Sequence, residues 1–458
     1  MAVIVRSRPV VWPVRGMIAR ALWCGAAASM VLVPLSWWAQ SGGWVRLSDP
    51  SEAMPSAGMA IGLVASVLMV WQIVLVARIP WLERTWGQDR LVRAHRIVGF
   101  TSFVLVVSHI SLFAGHRVIQ YPGDAARGLW YLFVVRPWFL FATFGTVLIV
   151  VAVVSSVRRS RARLRYESWH LLHLYTYLGM GFALPHQIFA GRDLDDHAHR
   201  FVWGIAWGLA AGALLAFRVI APIFRSLRHG LRVDSVREEV DGLVSVTVTG
   251  RHLQALRARA GQFFVWRFLD GPGWSRGHPF SLSAAPTVTS LRVTVHMRGD
   301  GSNRLAGLLP GTPVLAEGPY GVMTLERRRH PHVLFLAAGV GLAPLHAMLD
   351  AAHFAPGEAT LVYRCRPDGR ALFAAELEEL TDVRVVRLVG HRRSPHSWLP
   401  VDDDHPGADH VVLGELAPHI AHSDVYLCGP PGWVTSVKRA ARQAGVRRNA
   451  LHVEEFSW

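Results

Sequence analysis

Four histidines lie inside long apolar runs of this sequence, where an ionisable ring is costly and most often functional. His95 and His109 occupy one run with 13 residues between them; His173 and His186 occupy another with 12 between them. Fourteen helical steps advance ~21 Å and turn ~1400°, only ~40° short of four turns, so His95 and His109 share a face. Thirteen steps turn ~1300° and carry His186 away from the direction of His173, a misfit that Gly179, Gly181 and Pro185 offer places to relieve. A lone intramembrane histidine is commonly a hydrogen-bonded side chain. Four at two matched depths on two helices point instead to metal ligation, since two facing imidazoles hold a six-coordinate haem iron. The spacing predicts two stacked b-type haems, His95 with His173 and His109 with His186. His170, one turn before His173, is the alternative inner ligand, disfavoured because it would stretch the spacing to His186 to sixteen steps.

Those histidines need membrane helices to hold them. Apolar windows long enough to cross ~30 Å of hydrocarbon fall near 17–38, 57–77, 95–114, 137–157, 169–190 and 201–222, so six spans are expected. The first run is longer than a signal-peptide core and lacks a clear small-residue cleavage site. A hydrophobic share of 51% with 17% charged residues excludes a disordered chain and an ordinary soluble enzyme. The average conceals a division, because nine of the 32 Asp and Glu precede residue 226 and the rest follow it. Arginines cluster before the first span, between the second and third, between the fourth and fifth, and after the sixth. By the positive-inside rule both termini are then cytoplasmic and the protein is a multi-pass protein of the cell membrane. That placing accounts for the net charge of +16, so nucleic acid is not expected as a partner. Three cysteines, Cys24, Cys365 and Cys428, are too few and too scattered for a disulfide framework.

Beyond about residue 230 the pattern turns to short alternating segments such as Leu243–Thr249, Gln262–Phe268 and Leu291–His296, which predict an antiparallel barrel. From about 331 an apolar strand, His332–Ala337, a glycine turn, a helix and a second strand, Ala359–Tyr363, predict a βαβ unit. In that unit Gly339-Val-Gly-Leu-Ala-Pro344 lets a pyrophosphate approach a helix N-terminus. Arg364 and Arg366 follow the second strand, where a 2′-phosphate lies if the donor is NADPH rather than NADH. Upstream, His278-Pro279-Phe280-Ser281 follows a strand and precedes Leu-Ser-Ala-Ala-Pro286. With these residues nearly the whole chain after the first span resembles the NADPH oxidase and ferric reductase superfamily: a six-helix transmembrane bundle with a histidine quartet, then a ferredoxin-reductase-like flavin and nicotinamide module.

The resemblance implies a multidomain chain: a six-helix all-α transmembrane bis-haem domain (1–225), an antiparallel β-barrel FAD domain (226–328) and an α/β Rossmann-like NAD(P) domain (329–458). It implies that Phe280 packs on the isoalloxazine, that Ser281 hydrogen-bonds near the reactive flavin nitrogen, and that His278 and Pro279 complete the FAD-binding strand. Arg298-Gly299-Asp-Gly301-Ser302 offers backbone donors and a cation to the diphosphate. Gly339, Gly341 and Pro344 match the family's Gly-x-Gly-x-x-Pro turn, and Cys428-Gly429-Pro430-Pro431 its motif beside the nicotinamide. The ending Glu454-Glu-Phe456-Ser-Trp458 resembles a terminal Glu-x-aromatic, with Phe456 as the ring over the flavin and Trp458 two residues beyond the usual end. Where the eukaryotic oxidases carry a histidine one turn past the outer ligand, this chain has Phe113.

The expected function is transfer of electrons from cytoplasmic NAD(P)H through FAD and two haems to an outer acceptor: ferric chelate, oxygen or a partner protein. The alternative is a haem-free membrane anchor whose flavin module reduces a cytoplasmic partner.

Overall fold

The computed structural model describes residues 13–157, 166–191, 194–240, 242–271, 274, 276–297, 300–365, 368, 370–401 and 406–454. They form two compact units that divide at Val219/Ile220. The first is helical: α1 Pro13–Gln40, α2 Ala53–Val76, α3 Gln88–Gln120, α4 Pro137–Ser156, α5 Tyr166–Ala190 and α6 His197–Leu215. Long apolar sequence with polar or Gly-Pro interruptions accounts for both the lengths and the breaks; α4, for example, opens on Pro137, which needs no N–H at a helix start.

Five helices among the described residues are long and apolar enough to cross a membrane: Met17–Gln40, Ala53–Val76, Arg90–Gln120, Pro137–Ser156 and His197–His229. The expected fifth span falls on the 25-residue α5, which is not among them. Its own chemistry is the reason, because Glu167, His170, His173, His186 and Gln187 dilute the apolar content of the helix. The most extensive helix pairings are α2 with α3 and α4 with α5, so each helix bearing two of the histidines has a dedicated neighbour. Between α4 and α5 two glycines meet: a Cβ on Gly145 would lie 2.5 Å from the Gly179 carbonyl oxygen, and one on Gly179 would lie 2.8 Å from that of Gly145. Small residues at such a crossing let backbones approach where no hydrophobic drive exists.

In the second unit α7 Ala221–His229 ends at Gly230 in the left-handed conformation and leads into two three-stranded antiparallel sheets. One has the order β1 Arg232–Glu238, β2 Leu243–Thr249, β5 Ser290–His296; the other is β4 His278–Ser281, β3 Phe263–Phe268, β6 Val314–Tyr320. A bridge from Leu282 to Val293 ties the two sheets together. Strand β3 starts one residue later than the alternation predicts, since Gly261 at φ +85° turns the chain just before it.

A parallel sheet follows, in the order β11 Leu451–Glu454, β10 Ser423–Cys428, β7 His332–Ala338, β8 Ala359–Arg364, β9 Val383–Leu388. It is flanked by α8 Leu342–Asp350, α9 Ala374–Glu378, α10 Asp409–Leu416 and α11 Pro431–Gln443. Strand β7 is apolar on both faces, as a covered parallel strand must be. Val333, Phe335 and Ala337 join a core continuous with the antiparallel sheets, while Leu334, Leu336 and Ala338 join a second core under α10 and α11. The antiparallel sheets and the parallel sheet therefore share one core and form one unit.

The glycine crossing yields a direct test. Gly145→Ala should push α4 from α5 and destabilise the helical unit by about 1–3 kcal/mol, the usual cost of overpacking. The readout is the thermal midpoint of the detergent-solubilised protein, against Gly181→Ala as control, since a Cβ there meets nothing within 4 Å.

Candidate redox sites

The four histidines meet as two pairs. The rings of His95 on α3 and His173 on α5 lie 6.2 Å apart between centroids with their planes at 76°. Those of His109 and His186 are also 6.2 Å apart, at 64°. Two imidazoles bound to one metal through single nitrogens, at about 2 Å per bond, have centroids roughly 6 Å apart, so both pairs fit an iron between them. It is the ring of His173 that faces His95. The thirteen-step misfit on α5 is accommodated without a break, in a continuous helix with Pro185 immediately before His186.

The second nitrogen of each ring shows how it is aimed. His109 Nδ1 donates to the Gly58 carbonyl at 2.7 Å, and His95 Nδ1 lies 3.3 Å from the Gln72 carbonyl, both on α2. His173 Nδ1 lies 3.3 Å from the Ser156 hydroxyl at the end of α4, which also accepts from Trp169 Nε1 at 3.1 Å. Trp169 stacks on His173 at 5.4 Å. Holding Nδ1 on a carbonyl leaves Nε2 as the ligating atom, the usual arrangement of a metal-bound histidine. His186 Nδ1 is buried without a partner among the described residues. The glycines of α2 make room: a Cβ on Gly62 would stand 2.6 Å from His109 Nδ1, and one on Gly58 would stand 2.8 Å from the Phe113 ring. Phe113 lies 5.1 Å from His109, and Phe139 lies 4.7 Å from His186. Gly58, Gly62, Gln72 and Ser156 had no place in the sequence reading, although the small-xxx-small spacing of Gly58 and Gly62 is a known signal of close helix approach.

In the second unit β4 carries the His-Pro-Phe-Ser run, with His278, Pro279, Phe280 and Ser281 paired to Trp266, Val265, Phe264 and Phe263. Alternation puts His278 and Phe280 on one face, where their rings lie nearly parallel at 7°, 5.7 Å apart. Ser281 is 4% exposed and its hydroxyl has no partner, an orphaned donor beside an aromatic platform. Such a group fits a flavin edge. Burial, with the nearby charges of Arg276, Arg304 and Arg267, holds the His278 imidazole below its ordinary pKa. This arginine group is suited to a diphosphate. Gly301 and Ser302 sit in a helical turn, Asp300–Asn303, after β5; Arg298 and Gly299 lie outside the described residues.

The nucleotide motifs converge through sheet order. Strand β7 leads to β8 and β9 on one side, while β10 lies on the other side of β7, so the topological switch falls between β7 and β10. Ligands of open α/β sheets bind at the carboxyl ends of the strands beside such a switch. There the turn Gly339–Gly341 and the run Cys428–Pro431 come together: Gly339 has φ +56°, and a Cβ on Gly341 would lie 2.4 Å from the Cys428 carbonyl oxygen. Pro344 is buried in the first turn of α8, and Pro430 immediately precedes α11. Complete burial pushes the Cys428 thiol well up, so it stands as a neutral thiol and not a thiolate nucleophile. Arg364, the last residue of β8, donates to the Gly390 carbonyl at 2.9 Å while its Nε has no partner. Arg366, Phe456 and Trp458 lie outside the described residues.

Comparison with known proteins gives two family matches: "Ferric reductase like transmembrane component" over residues 61–184 and "Oxidoreductase NAD-binding domain" over 335–439. The chain is 32% identical over 237 residues to the ferredoxin reductase component of 3-ketosteroid-9-alpha-monooxygenase from Mycolicibacterium smegmatis, covering 49% of this chain and 65% of that protein. It is 28% identical to a flavohemoprotein from Chromobacterium violaceum, covering 43% of this chain and 52% of that one. It is 30% identical to ferredoxin–NADP reductase B from Sorangium cellulosum over 53% of this chain and 96% of that protein. A solved FAD/NAD-binding domain of nitric oxide dioxygenase from Vibrio cholerae aligns with 50% of this chain and 99% of its own at 22% identity and a TM-score of 0.40.

Two outcomes are expected. Gly341→Ala should abolish nicotinamide-dependent reduction while leaving flavin content intact, measured by flavin absorbance with and without NADPH. His278 and His346 are both held below the free imidazole value of 6.5, in each case chiefly by burial. Their contribution to stability is complete above that value and is lost as pH falls through the folded pKa. The temperature of flavin release, followed by fluorescence, should therefore drop as pH falls below the free imidazole value of 6.5.

Proposed function

Because this chain belongs to the family that joins a ferric-reductase-like transmembrane component to an FAD- and NAD-binding reductase module, we propose that it carries electrons from cytoplasmic NAD(P)H across the cell membrane to an outer acceptor. The pairing of His95 with His173 and of His109 with His186, each at 6.2 Å, carries this reading. In it, α5 is the fifth of six spans, and both termini and the flavin module lie on the arginine-rich side.

The residues divide the work. His95 with His173 and His109 with His186 would hold the two haems, their Nδ1 atoms aimed by Gln72, Gly58 and Ser156 wherever a partner is present. Phe280 and His278 would support the FAD ring, Ser281 would donate to its edge, and the arginines around His278 would neutralise its diphosphate. Gly339, Gly341, Cys428, Gly429 and Pro430 would shape the nicotinamide site, and Arg364 with Arg366 would meet a 2′-phosphate, favouring NADPH over NADH. When bound, the flavin would accept a hydride, two electrons with one proton, and pass the electrons on singly to the haem irons. No side chain need act as general acid or base, since the protein contributes placement and the exclusion of water.

The surroundings of the outer pair bear on the acceptor. Phe113 and Phe139 crowd the outer imidazoles with apolar rings. Phe113 stands where the eukaryotic oxidases carry a histidine that helps form the oxygen site, which favours a ferric chelate or a partner protein over oxygen as the acceptor.

The purified protein should show a low-spin b-type Soret band with about two haems per flavin. His95→Leu should leave NADPH-dependent flavin reduction at the parental rate while reduction of an impermeant external acceptor falls at least about tenfold. A mutant that still reduces the external acceptor at the parental rate sinks the haem route. A protein colourless in the Soret region, expressed with ample haem, leaves only a membrane-anchored flavin reductase.

A further inference from the structure

Helix α8 begins at the glycine turn and is apolar and buried at Leu342, Ala343, Pro344, Leu345, Ala347, Met348 and Leu349. In the middle of this run stands His346, 1% exposed. An imidazole in such a place is costly unless its polar atoms are met, and a leucine would continue the pattern. Its partners explain it. Nδ1 donates to the Ser283 carbonyl at 2.9 Å, and Nε2 lies 3.2 Å from a carboxylate oxygen of Glu376. Arg292 on β5 donates to the same Ser283 carbonyl at 3.0 Å and forks onto both Glu376 oxygens at 2.8 and 2.7 Å. The four groups form a ring joining α8, the segment after β4, β5 and α9, hydrogen-bonded throughout except between His346 Nε2 and Glu376, which lie close without a hydrogen bond.

The ring is braced. Ser283 is fully buried, its N–H donates to the Arg292 carbonyl at 2.8 Å, and its hydroxyl accepts from Thr294 at 2.8 Å. Phe373 packs on His346 at 4.4 Å and lies under the Arg292 guanidinium at 4.8 Å. One helical turn beyond His346, Asp350 accepts from the Ala285 N–H at 2.8 Å. Thus α8 is pinned at residues 346 and 350 to residues 283 and 285. That segment runs directly on from Ser281, and α8 itself starts at Gly341. The junction therefore sits between the two places read as cofactor sites, touching neither.

We propose that His346 is a positioning residue for hydride transfer: through Ser283 it fixes the nicotinamide-side glycine turn relative to the flavin-side strand. The inference rests on the reading of those sites as NAD(P)H and FAD sites. In the step it serves, one nicotinamide C–H bond breaks and one flavin N–H bond forms, the hydrogen moving with both electrons, so the nicotinamide is oxidised and the flavin reduced. Rates of such transfers fall steeply when the reacting atoms are held less well. Because Arg292 keeps its own bond to Ser283, losing the imidazole should loosen the register without collapsing the core.

The test uses full-length protein in detergent and stopped-flow reduction of its flavin by NADPH. His346→Leu should keep its flavin, its melting temperature and its NADPH dissociation constant, while flavin reduction at saturating NADPH slows about tenfold. His346→Asn, which keeps a donor near the Nδ1 position, should recover to within about threefold of the parent. Parental speed in the Leu variant, or an Asn variant as slow as Leu, overturns the proposal. Should the Leu variant lose its flavin, Glu376→Gln decides: a reduction rate lowered about threefold with flavin retained supports the junction, and a parental rate overturns it. A parent protein that takes up no flavin would overturn the underlying reading along with the inference, an outcome distinct from either variant result.

Discussion

A polar ring in an apolar environment must find a partner or be destabilising, and this requirement organises the helical unit around its four histidines. Each of three rings spends one nitrogen on a neighbouring group, and two of those groups are backbone carbonyls of the single helix α2. A carbonyl inside a helix is already engaged along the axis, so only its second lone pair is offered, and the imidazole must come close to use it. That closeness is why α2 carries glycine at residues 58 and 62, and why α3 packs along α2 so extensively. His186 Nδ1, without a partner among the described residues, makes the His109–His186 pair asymmetric, one ring tightly held by Gly58 and the other held by packing against Phe139.

The second unit meets the same requirement by the opposite means. Several of its buried polar side chains bond to one another in clusters. Asp424 on β10, fully buried, accepts from the Arg329 and His330 N–H groups and from His452 on the edge strand β11. These bonds to the charged form hold its carboxyl below the usual range despite burial. The Arg292 guanidinium similarly lowers the Glu376 carboxyl. Satisfied networks of this kind specify one packing arrangement, because any slip leaves several charges or dipoles unpaired at once.

How much of this was legible in the sequence depends on the range of the signal. The pairing of the histidines and the strand bearing Phe280 and Ser281 follow from local spacing, and β2 and β7 begin at the residues that alternation and apolar runs mark. Properties that depend on what lies opposite were hidden. Periodicity names the face of His109 but not Gly58, 51 residues away, that receives its proton. The glycine turn and Cys428 are some ninety positions apart and meet only because β10 inserts beside β7, a strand order that no local pattern carries. Hydropathy leaves α5 below the mark of a span, because the polar side chains it carries dilute its apolar content.

His346 is the sharpest case of this limit. By pattern it is an error, one polar residue in a helix otherwise made for a core, and a reading from periodicity alone would assign it no role. Its meaning lies in Ser283 and Glu376, one before it in the chain by 63 residues and one after it by 30. A violation of local rule that is repaired by distant partners is what geometric constraint looks like in a sequence. A hydride donor and acceptor must be held to a fraction of an ångström, whereas single electrons tolerate looser spacing. It is consistent with that difference that the polar ring occurs in the second unit, while the helices are fixed by glycine contacts and single hydrogen bonds.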